Sequence, residues 1–462
     1  MKMRDSTTVI WCLVVYVLLF VLHTNLLTCL RSKSQVDEEG NKRALKSEMK
    51  QSLLPPPQHL QSSQARRTIT CDRSHREYDL CSINGPTVLD PKSSTFYPES
   101  PTNSAQHHIV EKVRPYPRKW ENFTLSKIKE VTLTSGPKSP PCQVRHNAPA
   151  LVFSAGGYTG NFFHDFNDGF IPLYITVNSL FADQDDVVLV ISKARDWWVR
   201  KYTDLLQTFS KHPIIDLDKD NSTHCFTSAN VGLISHGFMT INPTLLPNSN
   251  TFKHFRFFLD KAYGHGQKSQ NHHQNHGLNP RKSLPRLALA SRNGATGRVI
   301  LNQDQVQQLA KEVGFDVIVF EPKGTTSLRE AYGLINTSHA LVGVHGAALT
   351  HSLFLRPGAV FVQVVPLGGE WVAENCFGTS ARAMGLEYME YKIGVEESSL
   401  IDKYNRSDAL IKDSVALQKK GWSNGIMEIY LKEQNVKLDL VRFREYLERA
   451  YKKAKRFMNN EG

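Results

Sequence analysis

Long hydrophobic runs are scarce in this sequence. Of its 462 residues only Val9–Leu30 could cross a bilayer, and only Val9–Leu22 is uninterrupted, because His23, Thr24 and Asn25 dilute the remainder. No small-x-small cleavage site follows, so the segment reads as an uncleaved signal anchor behind a short tail, residues 1–8, with a cleaved signal peptide as the alternative. Basic residues outnumber acidic ones, 56 to 44, yet they are scattered and not interleaved with aromatics on any one element. That excludes a nucleic-acid partner and leaves a solvated basic surface. Cysteines are few and odd in number: of seven, Cys12 and Cys29 belong to the apolar segment, leaving Cys71, Cys81, Cys142, Cys225 and Cys376. Cys71 and Cys81 are the first pair to expect in a disulfide.

A convincing metal site is also wanting. Asp183–Asp186 precedes a strand and so sits at its wrong end, while Asp216-Leu217-Asp218 runs into Lys219 and Asp220 and reads as a solvated loop. His265, His272, His273 and His276 fall in a low-complexity stretch, Gly264–Pro280, which reads as a linker. No metal is expected.

The most informative segment present is Ala340–Pro366, ALVGVHGAALTHSLFLRPGAVFVQVVP. Ala340–Val344 reads as a buried strand that ends at Gly343-Val344-His345-Gly346, where glycines let the backbone approach a ligand. A helix then opens at Ala347 and Ala348 with free N–H groups and its positive dipole end outward. Ala359–Val365 returns as a second buried strand, so the unit reads as a right-handed βαβ whose carboxyl end accepts a diphosphate.

The rest of the chain supplies a setting. Residues 31–70, polar and holding Pro55-Pro56-Pro57, read as a disordered stem. Residues 71–149 read as a β-rich start. From Pro149 strands and helices alternate: strand Ala150–Phe153, a helix from Asn161, strand Val187–Ile191, helix Trp197–Phe209, and strands at Pro213–Leu217 and Asn230–Ser235. After the linker come strand Leu287–Ala290, helix Gln303–Val313, strand Val317–Phe320 and helix Ser327–Asn336. Near the end Leu440, Phe443, Leu447, Tyr451, Ala454 and Met458 line one face of a basic helix expected to fold back across both halves. Two α/β domains, 71–280 on the acceptor side and 281–462 on the nucleotide side, facing a cleft, describe a GT-B-like α/β architecture with two Rossmann-like domains. Four N-x-S/T sequons at Asn122, Asn221, Asn336 and Asn405 point to a lumenal location with N-glycosylation.

Four clusters sit where strands end. Gly160-Asn161-Phe162-Phe163-His164-Asp165 puts a polar pair at a helix start, where His164 or Asp165 serves as general base or the two merely begin the helix. Ser291, Arg292 and Arg298 flank a glycine-bearing turn able to neutralise a diphosphate. Glu321 ends a strand and meets a ribose hydroxyl or a base, or caps the next turn. The fourth cluster is Gly343, His345, Gly346, Ala347 and Ala348. Gly294-Ala295-Thr296-Gly297 admits a second reading, a lumenal dinucleotide-dependent oxidoreductase, against which Ile300 stands where a third glycine belongs.

Taken in order, Gly160–Asp165, Ser291-Arg292 with Arg298, and Val344-His345-Gly346-Ala347-Ala348-Leu349-Thr350-His351 followed by Pro357-Gly358 and Gln363-Val364-Val365-Pro366 resemble the plant branch of glycosyltransferase family 61, over roughly residues 71–460. The segment from Cys71 to Cys81 is similar too. The resemblance implies a single-pass type II Golgi membrane protein with a GT-B fold. It also implies an inverting transferase without a bound metal or other cofactor, which moves xylose or arabinofuranose from a UDP-pentose donor to xylan. The partners expected are that donor, a xylan-type acceptor, the Golgi membrane and complexes with other Golgi glycosyltransferases. A non-catalytic glycan-binding protein of the same fold is the third reading.

Overall fold

The computed structural model describes residues 68–99, 108–136, 138–181, 186–264, 284–419 and 424–460. The expected anchor and most of the stem, Asp183 to Asp185 and the histidines of the linker lie outside them. Among the described residues no helix is long and apolar enough to cross a membrane.

Strands Arg286–Ala290, Ala340–Val344 and Val360–Val365 are almost wholly apolar and buried, as strands covered on both faces must be. They are the centre of a five-stranded all-parallel sheet in the order Asp316–Phe320, Arg286–Ala290, Ala340–Val344, Val360–Val365, Glu387–Lys392. The chain runs outward from Arg286–Ala290 in one direction and returns to continue in the other. The strand order therefore reverses between Arg286–Ala290 and Ala340–Val344, and their carboxyl ends open a crevice there.

A second sheet, Ile69–Asp72, Leu80–Ile83, Ala229–Val231, Ala150–Ser154, Val188–Ser192, Ile215–Asp216, carries four parallel strands after an antiparallel hairpin. Its order reverses between Ala150–Ser154 and Ala229–Val231, and the glycine turn that starts at Gly156 leaves from that point. A third, mixed sheet of six strands covers the outer face, with Leu89, Phe96, Val131 and Leu133 packed against Val152 and Val190. Disulfides join Cys71 to Cys81 across the hairpin, as expected, and Cys142 to Cys225; Cys376 is free and burial pushes its thiol up to about 12.

The helices between the two parallel sheets bury one continuous core. It takes in Leu151, Phe153 and Ile191 of one sheet and Ala288, Leu341 and Phe361 of the other, joined through Phe166, Tyr202, Phe255 and Tyr332. The final helix, Leu440–Asn460, buries Phe443, Leu447, Ala450 and Ala454 in the separate core of the five-stranded sheet.

Helix Gln303–Val313 has the bounds expected from its pattern, and strand Arg286–Ala290 is one residue longer. The helix expected after Gly346 is instead a 3-10 helix, Ala347–Phe354. The narrower helix climbs about 2.0 Å per residue instead of 1.5. It thereby spans a short crossover in few residues while Leu349 to Phe354 wedge into the core.

Candidate active site

The glycine turn ends at Gly160, whose φ of +107° lies in the left-handed region, and Asn161 then caps the next helix by accepting from Phe163 N–H at 3.1 Å. That helix is not uniform. Phe162–His164 is α, Asp165–Phe170 is a π-helical turn, and Ile171–Leu180 is α again. The wide turn leaves Asp165, Phe166, Asn167 and Asp168 all buried, and single π-turns of this kind recur at functional sites.

His164 and Asp165, the two candidate bases, are given different partners by this geometry. Asp165 is tied to the scaffold: its carboxylate accepts from Tyr202 O–H at 2.7 Å, Gly160 N–H at 3.1 Å and Trp198 Nε1–H at 3.2 Å, and burial pushes its pKa up. Those bonds hold both carboxylate oxygens against the scaffold, and Asp165 is buried away from solvent. The partner of His164 is Asp168, whose Oδ2 lies 2.8 Å from Nδ1. Arg118 Nη2 stands 3.3 Å from the same nitrogen, but a guanidinium only donates, so the Nδ1 proton belongs to the bond with Asp168. Nε2 is then the free basic nitrogen. Asp168 Oδ2 also accepts from Tyr116 O–H and Arg118 Nε–H, each at 2.9 Å. Burial alone would raise its pKa, but the bonds from His164 and Arg118 outweigh this and hold it below the usual carboxylate range.

At the other crevice Arg298 adopts a left-handed φ of +60° and donates from Nη1 to the His345 carbonyl at 3.0 Å. Gly346 has no room for a side chain, because a Cβ there would run into the Arg292 guanidinium. Neither arginine has an ion pair among the described residues, and burial together with Arg292 pushes Arg298 down to about 10. His345 is pushed down to about 3 by burial and by both arginines, so it is neutral, and its Nδ1 hydrogen-bonds Gln363 at 2.8 Å. Gln363 in turn contacts Tyr388 Oη at 2.7 Å, which reaches Glu390 at 2.9 Å.

Between the two crevices lies a cavity of about 350 Å³ that brings together Ser291, Arg292, Glu321, Ala347 and Ala348 with Gly160 and Phe162 from the other half. His164, Asp165, Arg298, Gly343, His345 and Gly346 do not line it; Gly343 is a packing glycine, a Cβ on which would stand 2.8 Å from Ala290 Cβ. Lys201 and His351 are among the other residues that line the cavity. Lys201 lies 5.1 Å over the Phe162 ring, and burial lowers its pKa. His351 donates from Nδ1 to Ala348 O at 2.7 Å, stacks on Phe162 at 4.2 Å, and is pushed down to about 3 by burial. Phe377 bridges the halves, its ring 5.4 Å from His345 and 5.6 Å from Phe163.

The turn Gly294–Gly297 does not open a helix, since the next helix begins at Gln303. It lacks the strand–turn–helix form that a dinucleotide fingerprint requires. Asp218 accepts from Lys193 N–H and pairs with Lys129 at 3.1 Å, so it closes a loop. Among the described residues no group of three His, Cys, Asp or Glu could hold a metal ion. Of the sequons, Asn122, Asn221 and Asn405 are exposed, whereas the Asn336 carbonyl accepts from Arg256.

The fold is thus a doubly wound α/β sheet whose switch point presents a close glycine turn and two arginines that have no ion pair among the described residues. The chain belongs to glycosyltransferase family 61. The family profile matches residues 160–362. The xylan glycosyltransferase MUCI21 of Arabidopsis thaliana is 41% identical over 85% of this chain and 81% of its own length. The alpha-1,3-arabinosyltransferase XAT3 of rice, Oryza sativa subsp. japonica, is 38% identical over 82% of this chain, which spans 64% of that protein. The rice beta-1,2-xylosyltransferase XAX1 is 34% identical, with 91% and 74% covered.

Proposed function

We propose that this chain is an inverting glycosyltransferase of GT-B type that transfers a pentose, xylose or arabinofuranose, from a UDP-sugar to xylan or a related cell-wall polysaccharide. It works in the Golgi lumen, anchored through residues 9–30. The observation that carries the reading is the pair Arg292 and Arg298. Two desolvated guanidiniums side by side without a carboxylate repel each other, and an arriving diphosphate relieves that cost. Relatives named for xylan, arabinosyl and xylosyl transfer support the acceptor and the pentose.

The reaction is one displacement. His164 Nε2 takes the proton of an acceptor hydroxyl, and the Asp168 carboxylate steadies the imidazolium that forms. The acceptor oxygen bonds to the anomeric carbon on the face opposite the leaving group. The bond from that carbon to the β-phosphate oxygen breaks, and its electron pair leaves with UDP. Arg292 and the N–H groups at Ala347 and Ala348 meet the charge that develops there, with Arg298 adding its positive charge from behind Gly346, while Glu321 reads the ribose. Incubating the full-length protein in Golgi membranes with radiolabelled UDP-xylose or UDP-arabinofuranose and xylohexaose tests this. Label appears on the oligosaccharide with one donor, and no transfer from either overturns the proposal.

A further inference from the structure

Exposed aromatic rings carry a hydrophobic cost unless something covers them. Around His164 gather four rings from four separate segments, three of them about one guanidinium. Tyr158 stacks on the His164 ring with centroids 4.5 Å apart. The Arg118 guanidinium lies 5.2 Å from the Tyr158 ring, 5.3 Å from Phe238 and 5.7 Å from Trp120, and Trp371 meets Phe238 edge to face at 5.9 Å. Trp371 is 48% exposed, Trp120 42% and Tyr158 40%. These are built positions: Trp120 Nε1–H donates to Glu77 at 2.8 Å, and the Tyr158 backbone N–H donates to the Tyr116 hydroxyl at 3.2 Å. None of the four lines the cavity that holds Arg292 and Glu321.

The guanidinium beneath the rings offers no free positive charge, because Arg118 pairs with both Asp168 and Glu121. The surface therefore offers flat apolar faces with no cation left to attract an anion, next to Nε2 of His164. An anionic ligand gains nothing there. A neutral pyranose does, since its axial C–H groups make one face flat and apolar while its equatorial hydroxyls stay in water at the rim. We infer that Trp120, Tyr158, Phe238 and Trp371 form the acceptor platform, on which neutral pyranose units of the polysaccharide stack on either side of the unit whose hydroxyl faces His164. The platform rests on the proposed glycosyl transfer and adds to it the residues that select a long neutral chain.

Trp371→Ala and Trp120→Ala, with Trp371→Phe as the conservative control, test it in the full-length protein. KM for xylohexaose and xylobiose is measured alongside UDP affinity by calorimetry. Wild type prefers the longer acceptor. Each alanine variant raises the xylohexaose KM about tenfold, the size of one stacking contact, changes the xylobiose KM much less, keeps its UDP affinity, and is largely rescued by phenylalanine at position 371. The ratio of the two KM values does not depend on how much of a variant is folded. An unchanged ratio in both alanine variants overturns the platform while leaving the transferase reading intact. A wild type that binds UDP but neither oligosaccharide removes the xylan acceptor, and the platform falls with it.

Discussion

His164 and Asp168 stand four residues apart with Nδ1 and Oδ2 at 2.8 Å, even though a π-helical turn begins between them. The turn frees Asp165 to anchor Tyr202 and Trp198 on the neighbouring helix, and leaves Asp168 to serve the histidine.

Asp168→Asn is therefore expected to lower turnover by about 10²- to 10⁴-fold, the usual worth of a positioned base and its orienting partner. UDP affinity, measured by calorimetry, stays near wild type. Asp165→Asn instead lowers the melting temperature and leaves turnover per folded molecule nearly normal. If Asp165→Asn loses turnover without losing stability, the assignment of the two carboxylates is reversed.

Arg292→Ala should cost about 3–4 kcal/mol in transition-state stabilisation, by analogy with a lost oxyanion donor. Arg292→Lys should also be poor, since an ammonium cannot reproduce the guanidinium fork. Stability moves the other way. Removing one of two mutually repelling buried charges raises the melting temperature of the ligand-free protein, whereas UDP raises it only in wild type. Calorimetric scans of both proteins, with and without UDP, check this; a destabilised variant would mean that the arginines hold the fold.

His345 and His351 are both pushed from 6.5 down to about 3 by burial, so below pH 6.5 the unfolded chain binds protons that the folded chain refuses. Stability is complete above that pH and falls steadily as the pH drops toward 3. Melting temperatures at several pH values show the decline, and His351→Gln makes it shallower. A flat profile would show that these rings are solvated.

Transfer is expected to survive a chelator, because Arg292, Arg298 and the N–H groups after Gly346 supply the positive charge. Loss of activity with EDTA, restored by manganese, would contradict this.

Much of the parallel sheet was legible because buried strands read as apolar runs and its helices repeat every 3.6 residues, so Gln303–Val313 came out residue for residue. That Ser291, Arg292 and Glu321 share one cavity was legible because each follows the carboxyl end of a strand in the same parallel sheet. Asp168 carries a fainter signal than the adjacent His164 and Asp165, although neighbours in a helix point apart and His164 and Asp168 have the i, i+4 spacing of a facing pair. Tyr116 and Arg118 gave no local signal: they reach His164 from an irregular stretch about 50 residues upstream of Asp168, a closeness only the tertiary fold creates. Lys201 sat on a helix face that sequence alone could not aim, and His351 lay inside a quoted motif without any sign of which way its ring would turn.

The core that runs unbroken from Leu151 to Leu341 has a kinetic meaning. Two lobes fused through packed aromatics have no seam along which to swing, since opening them would bring Phe166, Tyr202 and Tyr332 into water together. Substrates must then enter a nearly finished site, past loops such as 293–297 or 322–326, and scattering curves with and without UDP should superimpose. Such an enzyme would meet its polysaccharide the way a fixed die meets a moving strand, with the order of events set by what fits next and not by a closing motion.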